Sequence, residues 1–97
     1  VYNELIYMDY DLKVLNKEED DKEIDFIAQK DGKEYYIQVA YSVEDKKTYD
    51  REIEAFANID NIHKKILITN DDFDYSTSTV IHLKLKDFLI LESLDEV

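Results

Sequence analysis

Hydrophobic positions along this chain switch between two spacings, and the switches mark its elements. Tyr2, Leu5 and Ile6 recur at helical spacing between Tyr2 and Met8, which predicts a short amphipathic helix. From Asp11 to Asn16, Leu12 and Val14 share one face of a strand. The charged run Lys17 to Glu23 reads as a solvated connection. Glu23 to Gln29 then alternates, with Ile24, Phe26 and Ala28 on one face and Asp25 and Ile27 on the other. Asp31-Gly32 contains the only glycine and predicts a tight hairpin turn, because Gly tolerates positive φ. In the strand expected from Glu34 to Ser42, Tyr35, Ile37, Val39 and Tyr41 face one way. Tyr36, Gln38, Ala40 and Ser42 face the other.

The second half returns to helical spacing. Tyr49, Ile53, Phe56 and Ala57 form a stripe on a helix expected from Asp45 to Asn58, with Glu44 and Asp45 at the positive end of its dipole. Lys65 to Thr69 is a short apolar run bounded by charges, as a buried strand would be. Asn70 to Ser78 reads as a polar loop, Thr79 to Leu83 as a strand, and Leu85 to Leu91 as a final helical segment. Glu92 to Val97 reads as a frayed acidic end. A three-strand meander followed by a helical crossover into further strands predicts an α/β domain with a mixed sheet flanked by helices.

Length and composition limit what such a domain does. The 97 residues fit a single domain, and 44% hydrophobic residues are enough to build one core. With no Cys there is no disulfide framework or thiolate chemistry, which is compatible with a cytoplasmic setting. No apolar run approaches the ~20 residues of a membrane helix, so no membrane role is expected. The chain opens on Val1 inside a helical pattern, which suggests a piece of a longer polypeptide. Net charge is −12 and Arg51 is the only arginine, so autonomous DNA binding is not expected. His63 and His82 are too isolated in sequence to suggest metal or triad chemistry. Without a Gly-rich phosphate loop, nucleotide hydrolysis would belong to another part of the parent protein.

Glu23-Ile24-Asp25-Phe26, followed after a turn by Tyr36-Ile37-Gln38-Val39-Ala40, resembles the core of the PD-(D/E)XK nuclease-like fold. That resemblance implies a restriction-endonuclease-like core over residues 1–97. In it, an acidic residue on the first helix, another on the second strand and a Glu/Asp-x-Lys on the third converge on Mg²⁺ or Mn²⁺. Glu4 matches the helix position and Asp25 the strand position, so these two would be the metal ligands. Gln38 falls where the second strand carboxylate belongs, and Ala40 where the lysine belongs. An amide oxygen ligates a hard cation without bringing charge. Losing the lysine removes a cation that would stabilise charge on phosphate. The expectation is that Glu4, Asp25, Gln38 and Ala40 cluster, with Asp25 and Gln38 on one face of adjacent strands. Lys13 is a candidate to approach from the neighbouring strand.

A closer resemblance spans nearly the whole chain. Asn3-Glu4-Leu5-Ile6, the two strand motifs, Arg51-Glu52, Lys64 to Asp71 and Asp87-Phe88-Leu89 look like an uncharacterised domain found C-terminal to prokaryotic ATPases of the AAA class. The pattern departs at Asp9, where that family prefers Gly before an aromatic, and around Ser76 to Thr79, where it prefers Gly-Ile. Both departures concern turn geometry. Arg51 and Glu52 are neighbours pointing in different directions on a helix, so no mutual ion pair is expected. Either they are surface charges, or one of them reaches back to the strand ends.

The resulting expectation is a degenerate, non-catalytic nuclease-fold domain, an interaction or recruitment module whose partners are other domains of the parent ATPase or another protein. The alternatives are a Mg²⁺-dependent nuclease using Glu4, Asp25 and Gln38 with a basic residue from elsewhere, and an acidic protein-binding module unrelated to nucleic acid.

Overall fold

The computed structural model describes residues 1–14, 24–57, 59–60 and 62–97. The charged run from Lys17 to Glu23 lies outside these residues. Five strands form one mixed sheet in the order of the chain. Strand β1 (Asp11–Val14), β2 (Phe26–Lys30) and β3 (Lys33–Val39) make an antiparallel meander. Helix α2 (Lys46–Glu54) crosses over to β4 (Lys64–Thr69), which pairs parallel with β3, and β5 (Ile81–Lys84) pairs parallel with β4. Helix α1 (Tyr2–Tyr7) precedes the sheet, while a short α3 (Leu85–Phe88) and a 3₁₀ turn (Leu94–Glu96) follow it. No helix among the described residues is long and apolar enough to cross a membrane.

Strand alternation divides the core into two layers. Tyr35, Ile37 and Val39 of β3 pack with Ala28, Ile66 and Ile68 against Leu5 and Met8 near α1 and against Phe88 and Leu94. Tyr36 and Ala40 pack with Ile27 and Leu67 against Tyr49, Ile53, Ala55 and Phe56 in and after α2. The two faces of the β3 segment therefore fall as its sequence predicts. Five consecutive residues of β4 are buried, from Lys65 to Thr69, because helical layers cover both sides.

Several expectations change for local reasons. Ile24 belongs to the α2 layer rather than the face of Phe26, since Asp25 forms a bend before β2 begins. Helix α2 ends at Glu54 and gives way to a turn, so Ala55 is buried and Ala57 exposed. Ile6 is half exposed while Met8 turns inward. The C-terminal end is ordered rather than frayed. Ser93 and Glu96 form a capping box around the 3₁₀ turn, and Leu94 is fully buried with its N–H donated to the Tyr10 hydroxyl at 3.0 Å. Asp95 accepts from the Tyr35 hydroxyl and pairs with Lys33 at 3.3 Å. Burial, followed by the Asp95 hydrogen bond, holds the Tyr35 phenol well above its usual range.

Turn chemistry explains the hairpin and one departure from the family pattern. Asp31 and Gly32 both take positive φ, 53° and 79°, the conformation a two-residue hairpin needs. Asp9 also sits in the left-handed region, at φ 66°. A Gly at this position would avoid the strain that a Cβ meets in that region. Near Ser76 no left-handed residue is needed. Ser76 Oγ accepts from the His82 N–H at 2.8 Å, and Thr77 Oγ1 from the Val80 N–H at 3.0 Å.

Replacing Asp9 by Gly should relieve this strain at a small cost in unfolded-chain entropy, for a net gain of roughly 0.5–1 kcal/mol. Urea unfolding of the variant should show a raised midpoint with an unchanged slope. A lowered midpoint would mean that the Asp side chain supports the turn.

Candidate functional site

Asp25 and Gln38 meet where the sheet passes from the β2–β3 pair to the parallel strands. Phe26 is opposite Ile37, so the next position outward sets Asp25 against Gln38. The Asp25 N–H donates to Gln38 Oε1 at 2.5 Å, and Asp25 Oδ2 accepts from the Val39 N–H at 2.9 Å. Because Asp25 lies in a bend just outside β2, its carboxylate substitutes for a strand carbonyl and extends the pairing by one step.

Gln38 then reaches across to helix α2. Its Nε2 donates to Glu52 Oε2 at 2.7 Å, and both residues are almost fully buried. The amide orientation follows from its partners, since a backbone N–H needs an acceptor and a carboxylate needs a donor. Glu52 occupies the buried side of α2, three residues after Tyr49 and four before Phe56. A carboxylate there is tolerated only when hydrogen-bonded. Arg51 Nη2 lies 3.7 Å from Glu52 Oε1, so the two neighbours do form an ion pair, correcting the expectation from helix geometry. Arg51 is largely exposed, so this pair contributes little, and Gln38 is the main partner of Glu52.

Glu4 stands apart from this network. It sits on α1, on the side of the sheet opposite α2, and its Oε1 is 2.7 Å from the N-terminal amine. That bond, partly offset by burial, holds the Glu4 carboxyl below its usual range. Ala40 follows β3, donating its N–H to Ile68 O at 3.0 Å, and lines an apolar pocket of about 200 Å³ with Tyr41, Asn70 and Leu85. Lys13 pairs with Ile27 on the exposed edge strand. Thus Asp25 and Gln38 come together with Ala40 two residues further along, while Glu4 does not join them. Hard divalent cations favour several oxygen ligands with carboxylate charge. Among the described residues no three acidic or histidine side chains form a group able to hold a metal. Gln38 Oε1 and one oxygen each of Asp25 and Glu52 already accept protein donors. These residues do not fit a Mg²⁺ or Mn²⁺ centre.

A second polar group braces the same end of the sheet. Asp71 is buried and accepts from Ser42 Oγ and the Val43 N–H, both at 2.7 Å, tying the β3–α2 connection to the end of β4. Burial pushes its carboxyl up, but the bonds from Val43, Ser42 and Thr69 outweigh this and leave it lowered. His82 Nε2 lies 2.6 Å from Thr69 Oγ1, and Asp74 is 3.9 Å from Nδ1. This resembles a hydroxyl–imidazole–carboxylate relay. However, Nδ1 accepts the Tyr75 N–H at 3.0 Å, so the neutral ring carries its proton on Nε2 and donates to Thr69. The ring cannot then act as a base toward Thr69, whose side chain is itself buried. Burial, more than any neighbouring charge, lowers the His82 pKa. Sequence reasoning missed Asp71 and the interior place of His82, because hydrogen bonding between loops leaves no periodic signal. Glu52 did have a signal, since it falls within the apolar stripe of α2.

The profile of a family described as "Domain of unknown function (DUF4143)" matches residues 1–88, and the chain belongs to that family. Comparison with curated proteins and comparison with solved structures each gave no match.

Two outcomes test this network. Gln38→Glu sets two buried carboxylates against each other and removes the donor to Glu52, a loss of about 1–3 kcal/mol at pH 8. The deficit should shrink near pH 5, where a shared proton relieves the repulsion. Equal stability of variant and parent at pH 8 would show that the amide is not the clamp. For His82, the pKa in the folded chain lies below the unfolded value near 6.5. Its contribution is therefore complete above that value and is lost as pH falls through the folded pKa. Unfolding curves from pH 8 to 5 should show the parent losing stability relative to His82→Gln. A constant difference would exclude the buried neutral ring.

Proposed function

We propose that this member of the family is a non-catalytic domain with a restriction-endonuclease-like core, serving a cytoplasmic prokaryotic ATPase as an interaction or recruitment module. The carrying observation is Gln38. It stands where the nuclease-like pattern calls for a carboxylate, and both ends of its amide are bonded inside the protein, to Asp25 and to Glu52. A residue at the heart of a cleavage site would keep an oxygen available for metal or water. This one holds a helix to a sheet.

The chain order also supports the core assignment. A helix, an antiparallel meander and a helical crossover into parallel strands is the arrangement expected of that core. On this reading Asp25 and Gln38 stand at the two strand positions of the nuclease-like pattern, Glu4 lies apart on the other side of the sheet, and the bonds of the first two are structural. Asp25 now caps a strand end, and Ala40 offers a methyl group where a lysine would face phosphate. Charge favours a protein partner over nucleic acid, since a chain of net charge −12 repels a polyanion.

The decisive measurement is cleavage of plasmid and single-stranded DNA in Mg²⁺ or Mn²⁺, with Asp25→Ala in parallel. Neither protein should cleave above the buffer background, and the parent should bind duplex DNA weakly at physiological salt. Metal-dependent cleavage by the parent that Asp25→Ala abolishes would replace this reading with an active nuclease.

A further inference from the structure

On the side of the sheet away from Gln38, a groove of about 360 Å³ runs between α1 and the residues following α3, lined by Asn3, Glu4, Tyr7, Met8, Leu89 and Leu91. Its rim is apolar and open to solvent. Tyr7 is 90% exposed and Leu89 51%, with Ile90 beside it at 78%. Large apolar side chains gathered on a surface mark contact sites more often than single scattered ones do.

The segments that build this groove are mostly acidic. Residues 1–13 carry Glu4, Asp9 and Asp11 against Lys13, and residues 86–97 carry Asp87, Glu92, Asp95 and Glu96 against Lys86. Lysines that approach from the sheet are engaged. Lys30 Nζ donates to Met8 O at 2.9 Å, Lys33 pairs with Asp95 at 3.3 Å, and Lys64 donates to Leu94 O at 3.3 Å. An apolar slot is thus set in an acidic field.

The walls also select the shape of the occupant. On the wall formed by Met8, Leu89 and Leu91 the backbone donors are already engaged, with the Met8 N–H on Glu4 O, Leu89 on Leu85 O and Leu91 on Phe88 O. No open ladder is offered for an added strand, so side chains must make the contact. Helix α1 has six residues, or about 9 Å, which matches roughly two turns of a docked helix. Such a helix brings two or three apolar side chains at i, i+3 or i+4, and i+7. A second copy of this chain is a poor occupant, because it too carries −12.

We infer that this groove docks an amphipathic helix of a protein partner, with an apolar ridge entering the slot and Lys or Arg on its flanks. The inference rests on reading the domain as an interaction module, and it gives that module a surface and a chemistry of partner.

The test uses a fluorescent helical peptide with Leu at i, i+4 and i+7 flanked by Lys, a second with Glu for Lys, and a third with the Lys/Leu order scrambled. Anisotropy with the parent should show binding of the first peptide alone. The double variant Tyr7→Asp/Leu89→Asp should weaken it about tenfold or more, although it makes the protein more acidic. Phe73→Asp alters an exposed residue outside the groove and should leave affinity unchanged. Circular dichroism would verify folding, since all three altered side chains are exposed. Equal binding to parent, double variant and Phe73→Asp would reduce the effect to bulk charge attraction and overturn the inference. So would binding of the Glu peptide, or a concentration-dependent dimer abolished by Tyr7→Asp. The DNA cleavage outcome is independent of the groove, so either idea can fail alone.

Discussion

Burial of β4 on both faces is the constraint from which the other features follow. From Lys65 to Thr69 every residue is buried, so the strand must lie between two helical layers. Its parallel pairing with β3 cannot be closed by a tight turn and requires a crossover. Helix α2 supplies that crossover and must lie on one face, where Tyr49, Ile53 and Phe56 meet Tyr36, Ala40 and Leu67. Once α2 is placed there, the residue of β3 opposite Leu67 looks directly at the helix. That residue is Gln38.

Polar chemistry in the interior is a consequence of this placement. A side chain between a buried strand and a buried helix has no water available, so each of its polar atoms needs a protein partner. Among the described residues every buried side-chain nitrogen and oxygen has one. Gln38 meets the requirement by joining the start of β2 to α2 through one amide. A carboxylate in its place would face Glu52 without a donor, and in that setting would need a proton or a cation to be stable. The amide and the acid are therefore a matched pair. The present Glu52 contact depends on the amide of Gln38.

Much of the fold was legible in the sequence, and the physical reason is periodicity. Alternation in the β3 segment assigned Tyr35 and Tyr36 to opposite layers, and Asp31-Gly32 fixed the hairpin that aligns Phe26 with Ile37. The proximity of Asp25 and Gln38 follows from the same register. Illegible parts are those where side chains from distant segments decide the outcome. Ordering of the C-terminus depends on Tyr10, Lys33 and Tyr35, all from the first half of the chain. The location of Glu4 depends on which layer α1 covers, and a motif match carries no information about that. Ile24 shows the limit of alternation itself, since a single bend at Asp25 moves it to the other face.

The two layers differ in how they manage charge, and the difference bears on where a partner can act. In the α2 layer the acids that reach inward are bonded in place, Glu52 by Gln38 and Asp71 by Ser42 and Val43. Their charges serve local structure and are shielded from the surroundings. In the α1 layer, Lys30 and Lys64 reach backbone carbonyls, while Lys33 pairs with Asp95 at the surface. Lysines of this layer are thereby tied to its own segments, in a chain whose net charge is −12. Among the described residues the α1 side holds the larger buried cluster, so on the proposed reading the surface offered to a partner is built on the main core of the domain.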